Sequence, residues 1–155
     1  MVDPRKQLGN TGEDIAAHFL QQQGFCITAR NWRAQQLELD IIARDGDTLV
    51  FVEVKTRTHG GMTSPVEAIT PRKQQSCIRA ARAYLAAHHV WQIPCRFDIV
   101  CVELLPSPSI LSPSPNPVHG KRVLWNGVTF SVEHYSHAFE LPSALDSGNT
   151  AWQPW

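Results

Sequence analysis

Paired cysteines are absent from this 155-residue chain: Cys26, Cys77, Cys95 and Cys101 form no CxxC pair. The spacing of a thiolate metal site is therefore missing, and the four read as small core residues of a protein in a reducing compartment. An excess of charge is absent as well. Lys+Arg 14 and Asp+Glu 14 cancel, so bulk charge announces no nucleic-acid partner. No N-terminal apolar run has signal length and no segment is long enough to span a bilayer, which gives the expectation of a cytoplasmic protein with no membrane partner. No internal repeat is visible. The length is enough for one domain with a substantial core.

The charges that do occur are unevenly spread. Residues 1–96 hold 12 basic and 9 acidic groups, net +3, whereas residues 97–155 hold 2 and 5, net −3. The pattern is organised around residues 36–55, QLELDIIARDGDTLVFVEVK. Leu37, Leu39, Ile41 and Ala43 alternate with Glu38, Asp40 and Ile42, the period of a strand. A second strand follows, with Val50, Val52 and Val54 on one face and Phe51, Glu53 and Lys55 on the other. With Gly46-Asp47 as a two-residue type II′ turn, Arg44 faces Leu49, Ile42 faces Phe51, Asp40 faces Glu53 and Glu38 faces Lys55. The opposite face is then apolar: Leu39, Ile41 and Ala43 against Val54, Val52 and Val50. A one-residue slip would put Asp40 beside Val52 on that apolar face. An Asp45-Gly46 turn keeps the faces but sets Glu38 opposite Glu53.

Packing does not explain the charged face. Carboxylates directly opposite, at Cβ atoms about 4.5–5.5 Å apart, repel each other, and a half-buried carboxylate without partners takes up a proton. A divalent cation bridging both removes the penalty, so the spacing suggests a hard-metal site with Lys55 beside it. The alternative is a solvated strand face with Glu38–Lys55 as a surface pair.

Around this hairpin, Thr11 reads as the N-cap of a first helix with an apolar stripe of Ile15, Ala16, Phe19 and Leu20, ended by Gly24. Glu13 lies along the edge of that stripe, where an acidic group in a first turn also complements the helix dipole. Phe25 to Trp32 reads as a strand, and Thr56 to Pro65 as a polar loop. Thr70-Pro71 starts a long helix with Pro at N1 and a core stripe of Cys77, Ile78, Ala81, Tyr84, Leu85 and His88. Arg72, Gln75, Arg79 and Arg82 line another side, either solvated or touching phosphates. Cys95 to Leu104 is an apolar strand broken by Asp98. The organisation expected is a core at 1–104, a Pro/Ser-rich loop at 105–120, an added hairpin and C-terminal element at 121–141 packing on the core, and a flexible polar tail at 142–155 carrying Trp152 and Trp155. The hairpin turns at Asn126-Gly127 as type I′. His134 and His137 have ligand spacing but no evident acidic companion.

The order is therefore helix, three strands, helix, strand: an α/β arrangement. Glu13, then Asp40, then Glu53-Val54-Lys55, with twelve residues between Asp40 and Glu53, resembles the PD-(D/E)xK nuclease signature. The words Gly12-Glu13, Asn31-Trp32-Arg33, Glu38 to Ala43, Phe51 to Arg57, Lys73, Arg96-Phe97-Asp98 and Ala138-Phe139 resemble the YraN-like family of bacterial proteins, similar in its core to archaeal Holliday-junction resolvases. The chain departs from that pattern at Leu37, where the family usually has Gly, and in the proline-rich insertion.

The resemblance implies a restriction-endonuclease-like core, a central mixed β-sheet flanked by helices in the order α-β-β-β-α-β. It implies a nuclease-type site but names no substrate; the activity expected of such a site is Mg²⁺- or Mn²⁺-dependent endonucleolytic hydrolysis of DNA, with branched or structured DNA as the substrate class to test first. Asp40, Glu53 and the Val54 carbonyl would hold the metal, with Glu13 joining directly or through water. Lys55 would orient the attacking water or stabilise the phosphorane, and Glu38 would tether Lys55 or accept a proton. Arg57, Lys73 and Arg33 are the candidates for phosphate contacts. A symmetric homodimer would suit a junction resolvase, although no strand or helix marks an interface. The competing readings are a non-catalytic nucleic-acid-binding module of the same fold and a protein-interaction adaptor using the Pro-rich loop and tail.

Overall fold

The structure, a computed structural model, describes residues 4–60, 64, 67, 69–106 and 120–139. The elements run α1 (Pro4–Gln22), β1 (Cys26–Ala34), β2 (Leu37–Asp45), β3 (Thr48–Thr58), α2 (Pro71–His88), β4 (Cys95–Leu104), β5 (Lys121–Trp125) and β6 (Val128–Phe139). The strands form one six-stranded sheet in the order β1-β2-β3-β4-β6-β5. β3 and β4 are parallel, and α2 supplies the crossover that a parallel pair requires. The other neighbours are antiparallel, so the sheet is mixed. One helix covers each face: the α1 side buries Ile15, Ala16, Leu20, Ile41, Val50, Val52 and Val100, and the α2 side buries Ile42, Phe51, Ile78, Tyr84, Leu85 and Phe97. This is the restriction-endonuclease-like α-β-β-β-α-β core, extended by two strands.

The central hairpin has the register that the residue pattern predicts. Asp45 pairs Thr48, Arg44 pairs Leu49, Ile42 pairs Phe51 and Ile41 pairs Val52. Gly46 takes φ 58, as the first central place of a II′ turn demands. Beyond Ile41–Val52 the pairing stops, and there the expected face assignment fails for one residue. Leu39 packs with Trp32, Leu37 and Tyr84 on the α2 side, not with Ile41. Alternation in β2 breaks at Asp40, opposite Asn31, a non-glycine residue at φ 49 between the Arg30–Ile41 and Trp32–Leu39 pairs. A left-handed residue inside a strand disrupts the ladder locally and re-aims its neighbours. Leu37, the departure from the family glycine, is half-buried in that same cluster.

Other boundaries differ from expectation for identifiable reasons. α1 begins at Pro4, whose missing N–H is harmless in a first turn, so Thr11 is mid-helix and caps nothing. Glu13 therefore owes nothing to the helix dipole. At the other end Gly24, φ 94, and Phe25 N–H bonded to the Leu20 carbonyl at 3.1 Å close the helix as expected. β3 continues through Thr58, because β4 pairs with it along its whole length as far as Leu104. α2 is capped as predicted, Thr70 Oγ1 accepting from Lys73 N–H at 3.2 Å. His88 leaves the expected core stripe: it is exposed and lies against Tyr84, ring centres 4.2 Å apart. Among the cysteines Cys77 and Cys101 are buried, whereas Cys26 is exposed.

The hairpin turns at Asn126 and Gly127, both at positive φ, as a type I′ turn requires. β6 pairs along β4, so the hairpin widens the sheet itself. The proline-serine run over residues 107–119, half of the residues between β3 and α2 (61–63, 65, 66 and 68), and the tail with Trp152 and Trp155 lie outside the described residues. Among the described residues, no helix is long and apolar enough to cross a membrane.

Candidate nuclease-type active site

The break in β2 is what builds the site. Where the β2–β3 ladder ends, the Asp40 side chain takes over as acceptor, its Oδ2 receiving the Val54 N–H at 2.8 Å. The carboxylate is thus fixed between the two strands and turned toward Glu53. Glu53 is 7% exposed, and its Oε1 is held by Lys55 Nζ at 3.2 Å and by Lys73 Nζ at 3.1 Å. Its Oε2 accepts from the Cys77 thiol at 3.8 Å. Strand β3 supplies Glu53 and Lys55 on one face, β2 supplies Asp40, and the first turns of α2 supply Lys73 and Cys77.

Electrostatics mark this as a strained patch of negative charge. Burial, then the neighbouring Glu53 charge, push the Asp40 carboxyl from 3.8 up to about 7, against the opposing Val54 N–H and Lys73 charge. Glu13 adds to the repulsion on Asp40, which places it near enough to act on the site. For Lys73, burial works against the charged form, but Glu53 outweighs it and raises the pKa. Burial and then Glu53 lift the Cys77 thiol to about 12, so it stays protonated and donates rather than ligating a soft metal.

The remaining expected residues are distributed as follows. Glu13 is half-buried on α1 and reaches the site because Gly12 packs directly on Thr56. Glu38 does not tether Lys55: it pairs with Arg33 at 2.9 Å, since the kink at Asp40 separates its end of β2 from β3. Arg33, in that pair, remains 68% exposed. Arg57 is instead engaged by Glu103 at 3.1 Å, because the parallel register sets those two residues side by side. His59 and Gly60 N–H also bind Glu103. Lys73, expected at the DNA backbone, is inside the carboxylate cluster.

Two features escaped the residue pattern. The Lys73–Glu53–Cys77 contact was within reach, because residues four apart on a helix share a face and Cys77 is on the buried one. The second is the environment of Asp98, fully buried and bound by Arg96 at 3.0 and 3.2 Å, His134 Nε2 at 2.8 Å and His137 N–H at 3.1 Å. His134 thus does have an acidic companion, supplied across the β4–β6 pair. The Arg96 cation in that cluster makes it a structural knot.

Among the described residues no group of three or more His, Cys, Asp or Glu side chains stands ready to hold a metal. The donors that are present, two carboxylates and the Val54 carbonyl, fit a hard cation that keeps several of its waters, as Mg²⁺ does. The elevated Asp40 carboxyl supports the same fit, since a dication would relieve the repulsion that raises it.

The model of "Uncharacterised protein family UPF0102" matches residues 12–102. A UPF0102 protein of Nitratidesulfovibrio vulgaris (strain DP4) is 48% identical over 155 residues and covers 100% of both chains, so the hairpin beyond the family model has a counterpart there. A UPF0102 protein of Oleidesulfovibrio alaskensis is 37% identical, covering 95% of this chain and 92% of the relative. One from Lawsonia intracellularis is 37% identical over 96% of this chain and 97% of its own. With more than half its length matched by the family model and relatives aligned end to end, the chain belongs to the UPF0102, or YraN-like, family.

Proposed function

We propose that this protein is a divalent-cation-dependent endonuclease that hydrolyses phosphodiester bonds in DNA, with branched or structured DNA as its substrate class. The observation that carries the reading is Asp40, pinned on the Val54 N–H at 2.8 Å and set against buried Glu53 with Lys55 on its oxygen. A solvated strand face offers no reason to bury one carboxylate and crowd a second against it.

Asp40, Glu53 and the Val54 carbonyl would hold Mg²⁺ or Mn²⁺, with Glu13 ordering water around it. When bound, the cation neutralises charge building on the scissile phosphate and favours ionisation of the attacking water. Lys55, 34% exposed and anchored on Glu53, donates to the water and to a non-bridging phosphate oxygen. Arg33 and the exposed Arg72 and Arg79 of α2 position the sugar–phosphate strand. Arg57 acts indirectly, through the Glu103 pair that orders the end of β3.

The test is a nicking assay on four-way junction, flap and linear duplex DNA, with an RNA duplex for comparison, in Mn²⁺, Mg²⁺ or EDTA. Cleavage is expected only with cation and should vanish in Asp40→Ala and Glu53→Ala. Activity surviving either substitution overturns the assignment, and DNA binding without cleavage under every cation marks a binding module instead.

A further inference from the structure

Glu53 Oε1 is shared by two ammonium groups that arrive from different elements, Lys55 from β3 at 3.2 Å and Lys73 from α2 at 3.1 Å. We infer that Lys73 is the resident counter-ion of the unloaded site: a divalent cation seated at Asp40 and Glu53 displaces its ammonium from Glu53, and the released ammonium then binds a non-bridging oxygen of the DNA backbone. The inference deepens the nuclease reading and rests on it.

Three observations single out Lys73. Its Nζ stands 3.1 Å from Glu53 Oε1 and its charge acts on Asp40 as well, so its ammonium lies beside both carboxylates that a cation would bridge. Its main chain is locked by the Thr70 cap at 3.2 Å, so the change falls on a flexible four-carbon stem and leaves α2 in place. The side chain is 38% exposed, which leaves a path toward solvent and substrate.

Formal charge fixes the direction of the exchange. Asp40, Glu53 and Glu13 oppose Lys55 and Lys73, so a dication added with both lysines still on Glu53 overfills the site with positive charge. The Lys73 ammonium, beside both carboxylates and on a stem with access to solvent, leaves, and a phosphodiester then compensates it. Cation and DNA thereby bind cooperatively through one side chain.

The experiment titrates Mn²⁺ into the full chain by calorimetry, comparing wild type, Lys73→Gln and Asp40→Ala. Lys73→Gln is expected to bind Mn²⁺ about tenfold more tightly, within the usual range of site–site coupling, and Asp40→Ala to bind none. With Ca²⁺ present, wild-type affinity for junction DNA should rise more than that of Lys73→Gln. Equal or weaker Mn²⁺ binding by Lys73→Gln, with wild-type binding abolished in Asp40→Ala, overturns the role of Lys73 and leaves the nuclease reading standing. An equal Ca²⁺-dependent gain in both proteins overturns the transfer to phosphate. Absence of Mn²⁺ binding by wild type overturns both readings. Should Lys73→Gln fail to fold, the wild-type Lys73 ammonium resonance serves, since an unchanged signal at saturating Mg²⁺ overturns the exchange.

Discussion

A Cβ built on Gly12 would stand 2.0 Å from Thr56 Oγ1 and 3.1 Å from Thr56 Cβ. Rotating the threonine clears the hydroxyl but not its own Cβ, so α1 itself must move. In an isolated helix Gly→Ala gains about 1 kcal/mol; here overpacking should reverse the sign. Gly12→Ala is expected to lose about 1–3 kcal/mol in urea unfolding, with partial recovery in Gly12→Ala/Thr56→Gly. A more stable single variant would show that the helix is not held at this contact. Because Glu13 adjoins the contact, the same substitution should weaken Mn²⁺ binding.

Asp98, paired with Val52 and flanked by Phe97 and Ile99 of the α2 side, tests the other face of the sheet. Its burial alone would raise the carboxyl pKa, but the His134 and Arg96 bonds outweigh it and hold the value below 3.8. A depressed carboxylate contributes stability that is fully present above its unfolded value and lost as pH falls through the folded one. Wild type should therefore lose stability below about pH 4, and Asp98→Asn should lack that acid limb while being less stable at pH 7. Asp98→Ala, which leaves Arg96 only its Asp45 bridge at 2.9 Å and removes the acceptor of His134 and of the His137 N–H, should cost about 3–5 kcal/mol. Urea midpoints across pH 2–7, about the range that carboxylates titrate, decide it; parallel curves for wild type and Asp98→Asn would sink the assignment.

The contrast between these two places explains what was legible beforehand. The hairpin register, the Gly46 turn and the Thr70 cap are local, set by period-2 alternation and turn chemistry, and they follow from the residues alone. Alternation alone misplaces Leu39 and Glu38, because a single left-handed residue, Asn31, breaks it from the neighbouring strand. Glu103 and Asp98 gained their partners through the β3–β4 and β4–β6 registers, which no short-range pattern encodes. Asp40 and Glu53 were legible because they sit in one hairpin. The role of Lys73 required α2 to be docked.

Asp40 gives the opposite pH response to Asp98. Its carboxyl is raised from 3.8 to about 7, first by burial and then by Glu53, so the folded protein holds a proton that the unfolded chain has released. Stability contributed by this group is greatest at low pH and falls as pH rises between about 4 and 7. In EDTA at pH 8, Asp40→Asn should be more stable than wild type, and the advantage should disappear at pH 4. At pH 6, Mn²⁺ binding should release a proton, giving a calorimetric enthalpy that depends on the buffer. Buffer-independent enthalpies, together with identical pH profiles, would show that Asp40 is ionised before the cation arrives.

Lys55 and Glu38, opposite one another in the expected register, should separate in their effects on cleavage. Lys55 contacts Glu53 at 3.2 Å inside the site, whereas Glu38, 40% exposed, contacts Arg33 at 2.9 Å outside it. Lys55→Ala leaves Asp40 bound to the Val54 N–H and removes one of the two cations on Glu53, so Mn²⁺ affinity should hold or rise. Under the proposed function it removes a donor to the developing phosphorane charge, and loss of such an interaction usually slows the chemical step about 10²–10³-fold. Glu38→Gln frees Arg33, a surface pair of small energetic weight, and should change the single-turnover rate by no more than about threefold. Comparing single-turnover cleavage with Mn²⁺ affinity separates chemistry from site integrity. A Glu38→Gln enzyme as slow as Lys55→Ala would mean that β2 closes onto β3 with substrate bound, restoring the pairing that the kink at Asp40 prevents.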